Sequence, residues 1–264
     1  MSILAFIKRD FQIEKNYKLA FFMKIAGMSL YISIFYFMGF WLEKDGSTFG
    51  GGFFLNIFLG IVFANLLLIP LNCFSDSLRK EQLFGTVENL VLAPRSMLLL
   101  LAASAAYPLL FGAGETLLYL TALYFILPGI SLNLPLLFTG IVLGLTSMAV
   151  LGIISASFIM AFKRGDPVNF LLNAGLTLLG GVFFPIDILP GWLFKIAFLN
   201  PVTHAICLVR YGFGLNQLTL GLQFNAVYSA GYLAVFSAAG LIFAAAVFNK
   251  ALYYSKKTGS LGKY

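Results

Sequence analysis

The residue types that carry covalent chemistry occur in this sequence as scattered single members. His204 is the only histidine and Cys73 and Cys207 are the only cysteines. A metal centre needs several ligands at set spacing, and an acyl-transfer site needs a nucleophile beside a base, so neither is expected here. His204 therefore reads as a structural histidine. The nearest approach to a phosphate-binding loop is Gly259–Ser260–Leu261–Gly262–Lys263–Tyr264. Its spacing does not fit G-x-x-x-x-G-K-[ST], and no strand leads into it. If ATP drives this protein, ATP and Mg are bound by another chain.

More informative are polar residues inside long apolar runs. Glu115 sits in FGAGETLLYL, where a charge costs roughly 2.5–3.5 kcal/mol at mid-bilayer. It is either protonated or bonded to Tyr119 one turn on, or it serves a proton or cation. Asn65 and Asn72 are seven apart, with Pro70 between them to bend a helix. Asn169, Asn173 and Thr177 step by four, followed by Gly180 and Gly181. Such residues either bind helices together, at about 0.6 kcal/mol per contact, or line a polar path. Small residues at four-residue steps, Gly140 and Gly144 and then Ala230, Ala234 and Ala238, permit close helix packing.

The elements that must hold these residues follow from composition. The 264 residues are 60% hydrophobic and 10% charged, with mean hydropathy +0.94. Soluble domains run to about 45–50% apolar and about 25% charged, so the expected class is an all-α integral membrane protein. A span needs about 20 apolar residues, which predicts six transmembrane helices at 20–42, 53–75, 96–127, 134–162, 168–185 and 226–248. Residues 2–19 mix apolar residues with Lys8, Arg9, Asp10, Glu14, Lys15 and Lys18. That pattern predicts a helix lying along the interface and no cleavable signal peptide. Lys8, Arg9, Lys15, Lys18, Lys24, Arg79, Lys80, Arg95, Lys163, Arg164, Lys250, Lys256, Lys257 and Lys263 gather on one side, against Lys44, Lys195 and Arg210 on the other. The positive-inside rule then makes both termini and the 76–95 loop cytoplasmic. The net charge of +7 is accounted for as a topology signal, and nucleic acid is not an expected partner. Cys73 and Cys207 fall near opposite faces, which argues against a disulfide.

Two stretches do not read as spans. In residues 81–94, EQLFGTVENLVLAP, Gly85 can end one helix and Thr86 can cap the next, with Glu88 in its first turn. Val87, Leu90 and Val91 give that short helix one apolar face, and Pro94 suits the first turn of the next span. Residues 183–201, FFPIDILPGWLFKIAFLNP, are too apolar for a loop in water and too broken for a span. They predict one or two short helices that dip into the outer leaflet and return, a re-entrant outer element between spans five and six.

The run Glu81–Gln82, Gly85–Thr86–Val87–Glu88–Asn89–Leu90, Ala93–Pro94 resembles the E-R-x-x-G-T-L-E-x-L…x-P signature of type-2 ABC transporter permeases. Here Gln82 stands for the usual Arg and Val87 for the usual Leu. A second family pattern, F-F-P…L-P-x-W…N-P…R, is matched by Phe183, Phe184, Pro185, Leu189, Pro190, Trp192, Asn200, Pro201 and Arg210. The resemblance implies one permease domain over residues 1–264, the membrane subunit of an ATP-driven exporter in a prokaryotic inner membrane. It implies a second copy of the permease, two ATP-binding-cassette ATPase subunits and membrane lipid as partners. It assigns ATPase coupling to Glu81, Gly85, Thr86, Glu88, Asn89 and Pro94, and an outer gate to Pro185, Pro190, Trp192, Asn200 and Pro201. The second and fifth spans line the path in that family, which would place Asn65, Asn72, Asn169, Asn173 and Thr177 there with Glu115. Abundant Phe and Tyr suit a hydrophobic or amphiphilic cargo, whether drug-like, lipid-like or a lipid-linked glycan. The rival readings are an ATP-independent secondary transporter with Glu115 as its proton or cation site, and a structural scaffold.

Overall fold

The computed structural model describes residues 50–85, 87–92, 96–126, 132–162, 166–184, 186–215 and 225–257, with isolated positions between 8 and 37. The interfacial helix expected over 2–19 and the span expected over 20–42 fall almost wholly outside the described residues. Among those described, all regular structure is helical: α1 (Gly50–Leu83), α2 (Val87–Leu92), α3 (Met97–Ser104), α4 (Ala106–Ile126) and α5 (Leu134–Phe162). Then follow α6 (Asp166–Leu179), a 3-10 turn (Ile186–Ile188), α7 (Gly191–Phe198), α8 (Pro201–Gly212) and α9 (Ala226–Lys257). By length and composition, 4 stretches among the described residues can cross a membrane, or 5 if α7 and α8 together form one bent span. This is an all-α membrane protein.

The helix boundaries differ from those expected in instructive ways. The second span was expected to end at 75, yet α1 continues to Leu83 over 34 residues. At about 1.5 Å per residue it is about 51 Å long, against about 30 Å of hydrocarbon. It persists because Phe74 and Leu78 are buried in a shared core with Met97, Ile153, Met160 and Phe248, while Arg79 and Lys80 face outward. The third span is broken at Ala105 into α3 and α4. Pro108 has no N–H for the Ser104 carbonyl, which interrupts the ladder locally, while Met97–Phe125 together remains one stretch able to cross a membrane. The Ser104 hydroxyl donates to Leu101 O (2.6 Å) and meets Ser77 Oγ of α1 (2.7 Å). The fifth span, expected over 168–185, is the 14-residue α6 followed by a turn.

At the centre lies α5, packed on α1, α8 and α9. Its start is capped by Asn133, whose N–H bonds Gly212 O at 2.7 Å and so ties α5 to the end of α8. Its contact with α1 depends on Gly152. A Cβ there would lie 2.7 Å from Pro70 O and 3.0 Å from Leu71 Cα. Only glycine lets the α5 backbone seat against α1 where Pro70 interrupts the α1 ladder.

Gly152→Ala is expected to destabilise the purified protein by about 1–3 kcal/mol through overpacking. Gly175→Ala is the control, because a Cβ there meets no described atom within 4 Å, and it should be neutral or stabilising by up to about 1 kcal/mol. Thermal unfolding in detergent checks both.

Candidate functional site

The chain turns sharply at the end of α1. Gly85 has φ +67, a conformation glycine adopts without steric cost, and its N–H returns to Gln82 O at 3.1 Å. Helix α2 then folds back so that Val87, 2% exposed, enters the core of Phe74, Leu78 and Met97. Around it Leu83, Phe84 and Leu92 are 67%, 77% and 81% exposed. A buried anchor thus fixes a small helix whose flanks present large apolar side chains. Glu81 is half-buried and Gln82 buried in the last turn of α1. A neutral amide at position 82 suits that burial better than a cation would. Thr86, Pro94 and Pro185, and the side chains of Glu88 and Asn89, lie outside the described residues.

Further along α1 the asparagines come together, though not all of them. Asn72 Oδ1 accepts from Asn173 Nδ2 (2.8 Å) and Asn169 Nδ2 (3.2 Å), and Asn72 Nδ2 donates to Asn173 Oδ1 (3.3 Å). Ser155 of α5 donates to Asn169 Oδ1 at 3.5 Å and receives Ser75 Oγ at 3.0 Å. The result is a polar clasp joining α6 to α1 and α5. Both amides of the central pair are satisfied by each other, the arrangement that apolar surroundings favour. Thr177 donates to Asn173 O (2.7 Å), on its own helix. Asn65, two turns earlier on α1, is exposed and donates its amide to Ile61 O at 2.9 Å. The clasp forms at the level that Asn169 and Asn173 of the short α6 reach. Glu115 is half-buried on α4, one turn before the buried Tyr119.

At the far end of α6 the chain forms a hairpin. Pro190 precedes α7, Trp192 is exposed in its first turn, and α7 meets α8 at a bend of 78°. Asn200 makes the bend: its Oδ1 caps α8 by accepting from Val202 N (3.0 Å), with Pro201 at the first helical position. Its Nδ2 donates to Leu176 O of α6 at 2.9 Å. Thr203 Oγ1 reaches Leu179 O at 3.2 Å, and the buried Arg210 donates through Nη2 to Gly181 O and Asn56 O, both at 2.9 Å. The Arg210 Nε has no hydrogen-bond partner among the described residues. Carbonyls left over where α6 ends are therefore taken by one face of α8. Sequence reasoning passed over Thr203 and gave Arg210 no role. Helical spacing held the signal, since Asn200, Thr203 and Arg210 fall on one side of a helix.

His204 is fully buried on the same helix. Its Nε2 is 2.8 Å from Phe198 O, and its Nδ1 is 3.2 Å from Ser229 Oγ. A carbonyl only accepts, so Nε2 carries the proton and, in the neutral ring, Nδ1 accepts from the serine. The ring lies 4.2 Å, centroid to centroid, from Tyr232, whose hydroxyl donates to Leu199 O (2.6 Å). These contacts tie α8 to α9, and His204 is a structural residue. Among the described residues no group of three metal-ligating side chains occurs.

Apolar helices long enough to cross a membrane, a short helix docked at the end of α1 and a bent hairpin define a multi-helix membrane protein. A sequence profile described as ABC-2 type transporter matches residues 1–213. The chain belongs to this family. It is also similar to the inner membrane transport permease YadH of Escherichia coli K12 and of Shigella flexneri, each 32% identical over 91 residues. That stretch covers 33% of this chain and 36% of the relative's length.

Asn200→Ala removes the cap of α8 and the donor to Leu176 O together, and is expected to cost about 2–3 kcal/mol. Asn200→Ser keeps the cap without the reach to Leu176 and should fall between alanine and the parent. Melting temperatures of the three proteins, compared in one detergent, check the order.

Proposed function

We propose that this chain is the permease subunit of an ATP-driven exporter, a single domain over residues 1–264 that works as a pair of copies in a prokaryotic inner membrane. Membership of the ABC-2 type transporter family and the likeness to a transport permease of the inner membrane support that reading. The end of the bundle bearing α2 is cytoplasmic, as the gathering of Lys and Arg there favours. A separate pair of ATPase subunits holds ATP and Mg and seats on α2, with the N-terminal interfacial helix beside it. The observation that carries this is the pairing of buried Val87 with exposed Leu83, Phe84 and Leu92. Large apolar side chains displayed on a protruding helix end form a surface for a protein partner.

Closure of the ATPase pair pushes on α2, and the unbroken α1 carries the push toward the membrane centre. The coupling free energy is the difference in ATPase binding between two permease states. The α7–α8 hairpin is the re-entrant outer element, and the route opens outward past Pro185, Pro190, Trp192, Asn200 and Pro201. Six spans complete the permease, the first over 20–42. Exposed Asn65 on an apolar helix supports a path or a second copy at that face, because an amide turned to lipid is costly. The abundance of aromatic side chains, 16% of the chain, supports a hydrophobic or amphiphilic cargo, drug-like, lipid-like or a lipid-linked glycan.

Phe84→Asp is expected to lower recovery of the ATPase with tagged permease by about tenfold or more, as loss of an aromatic anchor does. The melting temperature of the permease alone should not change. Undiminished recovery, or vesicle transport driven by a proton gradient without ATPase and lost in Glu115→Gln, contradicts the proposal.

A further inference from the structure

No described side chain of α6 between Asn169 and Leu179 is fully buried, whereas Val202 to Arg210 of α8 are buried throughout. Helix α6 is therefore held by polar bonds at its two ends more than by packing. The two ends differ in what breaking them would leave. At the far end, the Leu176 and Gly181 carbonyls stand at a helix terminus and take their donors from Asn200 and Arg210, while the one Thr203 hydroxyl proton is shared between Leu179 O and Ala197 O. Pulling α8 away would strand those acceptors. At the other end the bonds run between neutral amides. Asn169 and Asn173 both donate to the one oxygen of Asn72. Asn173 Nδ2 already lies 2.8 Å from Asn169 O, on its own helix. Asn65 shows the same fallback, with its amide turned to Ile61 O. An opened clasp would therefore leave the Asn173 amide nitrogen bonded within its own helix and release side-chain oxygens, whereas the far end would release main-chain carbonyls.

We infer that Asn72 is the positioning residue for α6: its clasp with Asn169 and Asn173 is the contact that opens, and α6 swings about an end kept fixed to α8. This rests on the reading that α1 transmits a push from an ATPase, and it adds where that push is delivered. The hairpin and the far end of α6 then move as one unit, and the passage widens first at the α2 end of α6.

The test uses the full chain in lipid nanodiscs, with Cys73 and Cys207 replaced by alanine and paired spin labels at exposed positions. One pair, at Lys80 and Phe170, spans the clasp; the other, at Leu178 and Ile196, reports the far end. Asn72→Leu should lengthen and broaden the first distance distribution and leave the second in place. Asn173→Leu approaches the clasp from the other helix and should reproduce the change. A merely structural Asn72 would lower thermal stability with both distributions unchanged, and that result overturns the proposal, as does movement of both pairs together. ATP and the co-purified ATPase should shift the first pair of the parent in the same direction. If the substitutions move that pair and ATP does not, the clasp stands and the ATP-driven reading falls.

Discussion

Where α6 and α7 stop inside this bundle, side chains from neighbouring helices take up carbonyls they leave. Hydrocarbon offers no water to do so, and an unpaired backbone group there costs several kcal/mol. The end of α6 is the clearest case, with Asn200, Thr203 and Arg210 of α8 each assigned to a carbonyl. Arg210 also reaches Asn56 O, so the same residue joins the start of α1 to the turn after α6. The hairpin that looks, in sequence, too broken for a span is thereby fixed at its second half. What remains exposed is α7, with Trp192 and Ile196 on its surface.

The opposite end follows a different logic. There the chain leaves the apolar layer without leaving its helix: α1 runs on to Leu83, and Val87 brings α2 back onto the same core. The turn at Gly85 joins the two helices, and Val87 ties α2 to the core that α1 builds. Gly152 and Pro70 set where α1 bears on α5. Met97, Ile153 and Phe248 join the same cluster, so α2 shares one core with α3, α5 and α9.

Much of this was legible in the chain. Asn200–Pro201 announces a capped helix start, Gly85 a reversal, and the boundaries expected for α5, 134–162, are those observed. The errors have physical causes. Hydropathy ended the second span at 75 because Arg79, Lys80 and Glu81 look like a loop. A helix needs no hydrocarbon to persist, and Leu71, Phe74 and Leu78 continue a helical stripe through those charges. The third span, expected over 96–127, is found as one candidate span over Met97–Phe125, with a local interruption at Ala105 written in Pro108. The pairing of Asn72 with Asn169 and Asn173 could not be read from either segment, since it depends on where α6 lies against α1. Asn65 and Asn72 lie two turns apart on one helix, and only Asn72 meets the amides of α6.

The account depends most on α2 being a peg at the water-exposed cytoplasmic end of a continuous α1. A chain with Cys73 and Cys207 replaced by alanine and Leu92→Cys introduced, treated with a membrane-impermeant maleimide, tests this directly. The account predicts labelling in inverted membrane vesicles and none in intact right-side-out vesicles. Labelling from the outside, or none from either side until detergent is added, would contradict it.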